Sequence, residues 1–275
     1  MTTDGEATTS GEADAGDAAT QQRTAARERT AARERTVARE RTAAWERTAA
    51  WERTVARERT VAREPTVARE QTAGPAPGVQ PYYARSAEAL AERYESLRFE
   101  TVHEHFLPLL PAAPARVADI GAGTGRDAAA LAALGHEVTA VEPVPELRRV
   151  ARRLHPSPAI RWLADSLPAL PRLDGAAGTF DAILLSAVWM HLDEPDRPAA
   201  MRRLHTLLAP GGRLLISLRH GPPPEDRRMY DIPAPETVTL ATHHGLRPLQ
   251  ETTGTDHLGR DTVHWSSLAF EKERP

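Results

Sequence analysis

The chain has 275 residues, a formal net charge of −3, 40% hydrophobic residues and no cysteine. That charge balance gives no nucleic-acid footprint for the whole chain, and the missing thiols exclude disulfides, thiolate metal sites and a cysteine nucleophile. No run approaches the roughly 20 apolar residues of a membrane span. The acidic start lacks the apolar core of a secretory signal, so a cytoplasmic protein with no membrane association is expected.

In chain order, residues 1–22 form an acidic tail with Asp4, Glu6, Glu12, Asp14 and Asp17 and no Lys or Arg. Residues 23–70 repeat a six-residue unit eight times, from RTAARE to PTVARE. Six residues advance about 600° on an α-helix, so equivalent positions scatter over three faces and no apolar stripe forms. Arg23 and Arg27 are also like charges one turn apart, which is mildly unfavourable. The array therefore reads as disordered or as a lone solvated helix, with a basic arm that contacts a partner as the other reading. Residues 71–81, "QTAGPAPGVQP", are a Gly/Pro linker, and 82–275 form one folded domain.

Within that domain Leu90, Tyr94, Leu97, Val102 and Phe106 fall near helical spacing, and Pro108 with Pro111 ends the segment. Strands are expected at 116–120, 137–142, 159–163, 180–186 and 212–218. Helices are expected at 126–134, 145–154 and 197–208, where Met201, Leu204, Leu207 and Leu208 share a face. Runs such as "AILL" and "LLIS" are apolar on successive residues, so both faces of each strand are covered, as in a parallel sheet between helices. "PAPETVTLATHHGL" (233–246) reads as a helix, and "RPLQETT" and "TVHWSSLAFEK" read as closing strands. The second of these alternates, which suits an antiparallel insertion. The fold expected is a doubly wound α/β domain with a mostly parallel seven-stranded sheet and an antiparallel last strand.

The turn "GAGTG" (121–125) follows the first strand, where an open α/β sheet holds its ligand. A dinucleotide turn reads G-x-G-x-x-G, but here the third glycine comes one residue early and Arg126 takes the usual site. Asp119, two residues before the turn, would repel a pyrophosphate and suits a ligand carrying ammonium or sulfonium charge. Glu142 ends the second strand 21 residues after Gly121, a position that suits the hydroxyls of a ribose. Two acids together favour a cationic nucleoside.

These residues resemble the class I S-adenosylmethionine-dependent methyltransferases. "VADIGAGTGRDAA" is similar to their first motif, and "AVEP" to their acid-ended second strand. "WLADSLPAL", "FDAILLSAVWMHL" and "LHTLLAPGGRLLIS" resemble three later pieces, in order, across residues 82–270. The resemblance implies S-adenosyl-L-methionine as cofactor. It puts Asp119 and the backbone at Gly121, Gly123 and Gly125 on the methionyl end, and Glu142 on the ribose. Asp165 would take the adenine amine, Ser166 a ring nitrogen through its backbone, and Ser186 the cofactor or acceptor.

Other residues keep two readings. Asp165 with Ser166 could cap a short following helix. Asp127 reads as an ordinary first-turn acid that complements the helix dipole. Tyr82, Tyr83 and Tyr94 either form a lid over the cofactor or simply pack. His191, on the loop after the fourth strand, is the candidate general base, against a histidine that caps or packs the next helix; His220 and His264 are weaker candidates. No acids and Asn stand at metal-ligand spacing, so no divalent metal is expected. The expected partner is a small-molecule acceptor, with no nucleic-acid or membrane partner and no indication of oligomeric state. The competing readings are a nicotinamide-dependent oxidoreductase and a non-enzymatic cofactor-binding or interaction protein.

Overall fold

The structure, a computed structural model, describes residues 79–274. The acidic tail, the hexapeptide array and residues 71–78 of the linker lie outside the described residues. Three short helices come first: α1 (Val79–Arg85), α2 (Ala87–Glu95) and α3 (Phe99–Val102). The linker expected to reach residue 81 thus already turns helical at Val79. Pro81 is tolerated there because first-turn amides need no partner within the helix. The single N-terminal helical segment is broken after Glu95, where Ser96 Oγ accepts no cap but donates to the Arg93 carbonyl, and Arg98 is extended.

The sheet then follows the expected alternation. β1 (Arg116–Ile120), β2 (Glu137–Val141), β3 (Ile160–Leu163) and β4 (Phe180–Ser186) alternate with α4 (Arg126–Ala133) and α5 (Pro145–Leu154). After them come α6 (Arg197–Leu207), β5 (Leu208–His220), α7 (Ala234–His243), β6 (Leu246–Thr255) and β7 (His264–Lys272). The strand order is β3-β2-β1-β4-β5-β7-β6, and β7 runs antiparallel to both its neighbours. β5 begins four residues earlier than expected. Leu208 already pairs with Phe180, and a register shift between Phe180 and Ala182 absorbs the "APGG" turn as an irregularity in the ladder. Gly212 is needed at that point, since a Cβ there would lie 2.7 Å from the Phe180 carbonyl oxygen.

Successive apolar residues serve opposite faces. Ile183 and Leu185 of β4 join one core cluster with Met201, Leu204 and Leu207 of α6. Ala182 and Leu184 join the other, with Ala128 and Leu131 of α4 and Phe99 and Phe106 from the N-terminal segment. Each such fully buried aliphatic side chain contributes about 1.5–3 kcal/mol of transfer free energy. A third cluster joins Ala87 and Ala91 of α2 to Leu147 and Val150 of α5. It docks the N-terminal helices beside the carboxyl ends of β1 and β2. Chain order reverses between β2-β1 and β1-β4, so the crevice of this sheet opens beyond the ends of β1 and β4.

Candidate active site

A cavity of about 620 Å³ fills that crevice, and its wall includes Asp119, Glu142, Asp165, Ser186 and His191. That volume lies in the ordinary range for a small-molecule site. Asp119 is only 1% exposed, and its Oδ2 has no hydrogen-bond partner. Burial pushes its carboxyl well above the usual carboxylate range, and the negative charges of Asp127 and Glu142 push the same way against Arg126. A buried carboxylate oxygen left without a donor is costly unless something else supplies the positive group.

Four of the five amides of the glycine turn are already engaged. Gly121 and Ala122 both donate to the Val141 carbonyl, Gly125 donates to Ala122, and Gly123 donates to Glu142 Oε2 at 2.9 Å. A pyrophosphate cradle needs such amides free, so this turn is a poor match for a dinucleotide. Gly121 and Gly125 have φ of +77° and +89°, where a side chain is strained. At Gly121 a Cβ would also collide with Val188 Cγ2. Glu142 is clamped at the end of β2, with Oε1 accepting from the Val144 amide at 2.8 Å. Burial raises its carboxyl and these two amide bonds partly offset that. Each oxygen keeps a second lone pair for a hydroxyl donor.

Asp165 stands at the far end of the cavity wall. Its Oδ1 accepts the Ser166 amide at 2.9 Å and its Oδ2 the Arg172 amide at 2.7 Å, which ties down the loop after β3. Asp165 is not the cap residue of the following 3-10 turn (Pro171–Leu173), which begins after Leu170, but it accepts the Arg172 amide from that turn, and the Ser166 amide is directed at Asp165. Ser186 closes β4, and Ala187 follows it at φ +57°, a left-handed conformation costly for alanine. The Ala187 amide is held there by Ser217 Oγ at 2.9 Å.

Residues 117–212 match the family described as methyltransferase domain. The chain has the class I methyltransferase fold, and the matched stretch runs from β1 into β5. It is 40% identical over 107 residues to an uncharacterized methyltransferase of Mycobacterium bovis, which covers 38% of this chain and 40% of that protein. A ubiquinone biosynthesis O-methyltransferase of Xanthomonas axonopodis pv. citri is 36% identical over 116 residues, covering 42% and 47% respectively. The chain thus spans less than half the length of these curated relatives. In fold it is similar to the 1,6-didemethyltoxoflavin-N1-methyltransferase of Burkholderia thailandensis, solved with 1,6-didemethyltoxoflavin and S-adenosylhomocysteine. The TM-score is 0.54 at 23% identity, over 76% of this chain and 99% of that one.

Beneath the Asp119 side of the cavity lies a network that sequence reasoning missed. Asp127 is the expected first-turn acid of α4, but it is buried, at 5% exposed, and does more than complement the helix dipole. Its Oδ2 meets His103 Nε2 at 2.8 Å and its Oδ1 accepts from Arg126 Nε at 2.7 Å. Burial alone would raise this carboxyl, but His103 and Arg126 outweigh it and hold the group far below the usual range. His103 gave no signal in sequence, because it sits in an apolar helical stretch 24 residues from its partner.

The tyrosines Tyr83 and Tyr94 line the cavity, and Thr124 of the glycine turn donates to Glu95 of α2 at 2.7 Å. Tyr83 Oη lies 3.0 Å from His191 Nε2, and His191 Nδ1 lies 3.0 Å from the Arg228 carbonyl. Since a carbonyl only accepts, Nδ1 carries the hydrogen and Nε2 accepts the Tyr83 hydroxyl. Burial holds the imidazole down at about 4, against the carbonyl bond that favours its charged form. His191 is thus neutral near pH 7. His220 lies instead between Asp231 Oδ1 at 2.8 Å and Ser266 Oγ at 2.9 Å, and stacks on His264. Neither of these two histidines borders the cavity. Among the described residues there is no group of three His, Cys, Asp or Glu that could hold a metal, and no helix long and apolar enough to cross a membrane.

Proposed function

We propose that the protein is an S-adenosyl-L-methionine-dependent methyltransferase acting on a small molecule. The observation that carries this reading is the unpartnered Oδ2 of buried Asp119 in the cavity wall, which suits the methionyl ammonium. Glu142 has lone pairs left for ribose hydroxyls. Asp165, whose oxygens each keep a second lone pair, takes the adenine amine, whereas the Ser166 amide is already taken by Asp165; Gly121, Gly123 and Gly125 shape the turn beneath the methionyl end. When bound, the cofactor supplies a methyl group on a sulfonium, an electrophile that needs no further activation.

The protein's own contribution is then alignment and exclusion of water, a proximity effect. α1 and α2 close one wall of the cavity. Ser186 is fixed at the end of β4 by the constrained Ala187. A base is required only where the acceptor must lose a proton. His191 acts on the acceptor side by orienting the Tyr83 hydroxyl through Nε2, since an imidazole held at about 4 is a better hydrogen-bond acceptor than a base. His191→Gln is expected to lower labelled-methyl transfer into a small-molecule extract about tenfold, the worth of about one hydrogen bond. Affinity for S-adenosylhomocysteine should stay within about twofold, whereas a merely structural role would lower both.

Isothermal titration with S-adenosylhomocysteine tests the donor assignment. Low- to mid-micromolar binding is expected, and no heat at high micromolar concentration would sink it. The oxidoreductase reading fares worse, because a pyrophosphate would face Asp119 over a turn four of whose five amides are already engaged. Fluorescence enhancement on adding NADH would revive it.

A further inference from the structure

One part of the cavity is not explained by the cofactor. Arg219, near the end of β5, borders it and is only 8% exposed. Its two terminal nitrogens donate to the backbone carbonyls of Gly221 and Pro222 at 3.2 and 3.0 Å. Its Nε has no partner, and Arg219 forms no ion pair among the described residues. Of the five other arginines that border the same cavity, Arg227 and Arg260 act on Arg219. Arg227 lies over the Tyr82 ring at 4.4 Å with its own Nε unpartnered, and only the half-exposed Asp226 pairs with it, at 2.9 Å. Arg260 is held by Asp256 through contacts of 2.9 and 2.6 Å.

Asp256 is fully committed. It also accepts the Trp265 indole N–H at 2.9 Å and the amides of Leu258 and Arg260. Its hydrogen bonds are therefore spent on Arg260, Trp265 and its own loop, and no carboxylate among the described residues pairs directly with Arg219. Burial lowers the affinity of Arg219 for its proton, and the positive charges of Arg260 and Arg227 lower it further, against a smaller opposing effect of the more distant Asp256 and Asp231. A buried cation beside like charges, with donors still free, calls for an anion. The planar fork of guanidinium nitrogens matches a carboxylate or phosphate.

Position on the strand says which ligand this anion belongs to. Ser217, two residues or about 7 Å back along β5, holds the Ala187 amide beside Ser186. Arg219 therefore lies outward from the reacting end, on the far side from Asp119, Glu142 and Asp165. We infer that the methyl acceptor carries an oxyanion, a carboxylate or a phosphate, which is bound by Arg219 with Arg227 as the second cation. This inference rests on the proposed methyl-transfer reading and names the substrate class for it. Arg219 works as a specificity residue: it fixes the anionic end so that the accepting atom faces Ser186 and Tyr83.

The test titrates benzoate, phenyl phosphate and the neutral benzamide into the full chain, each with and without saturating S-adenosylhomocysteine. At least one anion is expected to bind about tenfold or more tightly than benzamide, and the stronger of the two identifies carboxylate or phosphate. Arg219→Gln should reduce that preference to about twofold or less, while Arg219→Lys retains part of it. Affinity for S-adenosylhomocysteine should be unchanged in both, which also shows that they fold. Arg227→Gln, on the loop rather than in the strand, should weaken anion binding several-fold. Benzamide binding as tightly as both anions, or an anion preference that survives Arg219→Gln and Arg227→Gln, overturns the inference. Failure of S-adenosylhomocysteine to bind the wild type would instead refute the donor assignment, while the titrations without it still read the anion site.

Discussion

Asp119→Asn is expected to weaken S-adenosylhomocysteine binding about 10- to 100-fold while leaving the unliganded protein at least as stable as the wild type. The lost affinity corresponds to one charge-assisted hydrogen bond of about 1.5–3 kcal/mol. The stability follows from the site's own electrostatics. Asp119 is 1% exposed with an oxygen lacking a donor, so its ionised form is disfavoured in the free protein. Its folded carboxyl holds a proton more tightly than the unfolded one, since burial and Asp127 raise it above 3.8. The group therefore favours folding most below that value and works against it as pH rises. Asparagine removes that penalty, and its melting-temperature advantage should grow with pH.

The same group makes binding proton-linked. A ligand ammonium stabilises the carboxylate, so binding releases a proton wherever the free carboxyl holds one. Affinity should climb with pH until the raised value of the free protein is passed, and then level off. Calorimetry in two buffers of different ionisation enthalpy would count the protons released. An identical climb in Asp119→Asn would assign the linkage elsewhere.

Asp127→Ala is expected to destabilise the domain by about 3–5 kcal/mol at pH 7, the usual cost of removing one partner from a buried ion pair. Two groups lose their acceptor together: the His103 imidazole at 2.8 Å and the Arg126 guanidinium at 2.7 Å, the latter a full ion pair. Urea unfolding followed by circular dichroism gives the difference directly. The sign of its pH dependence is opposite to that of Asp119. The folded Asp127 carboxyl is depressed, so its stabilisation is present above 3.8 and is lost as pH falls below that value. Wild type and variant should therefore converge on acidification. A difference under about 1 kcal/mol at pH 7 would mean that the network contributes no more than a surface pair. The variant also removes a negative charge facing Asp119, so the pH climb of cofactor binding should move to lower pH.

Much of this site is legible in one dimension because its cofactor half is local. Asp119, the glycine turn and Glu142 fall within 24 residues of chain, and each sits at the end of a strand whose apolar run marks it. A glycine needed for positive φ, as at Gly121 and Gly125, announces itself by composition. The acceptor half is different. Tyr83 and His191 are 108 residues apart, and Arg219 meets the loop of Arg227 and the Asp256–Arg260 pair only after β7 inserts between β5 and β6. Nothing in the local pattern around an isolated arginine separates a solvated cation from a buried one.

By itself, then, the sequence determined the succession of strands and helices, the face each presents, and the acids at the ends of β1 and β2. Periodicity and chain-local chemistry carry that information, because hydrogen bonding and burial within an element depend on near neighbours. Tertiary structure alone decided that Asp127 is a buried ion-pair centre, that His191 is a neutral acceptor for Tyr83, and that no carboxylate among the described residues pairs directly with Arg219. Each of these depends on what long-range packing brings near, and on the water it removes, which sets the charge a group can keep.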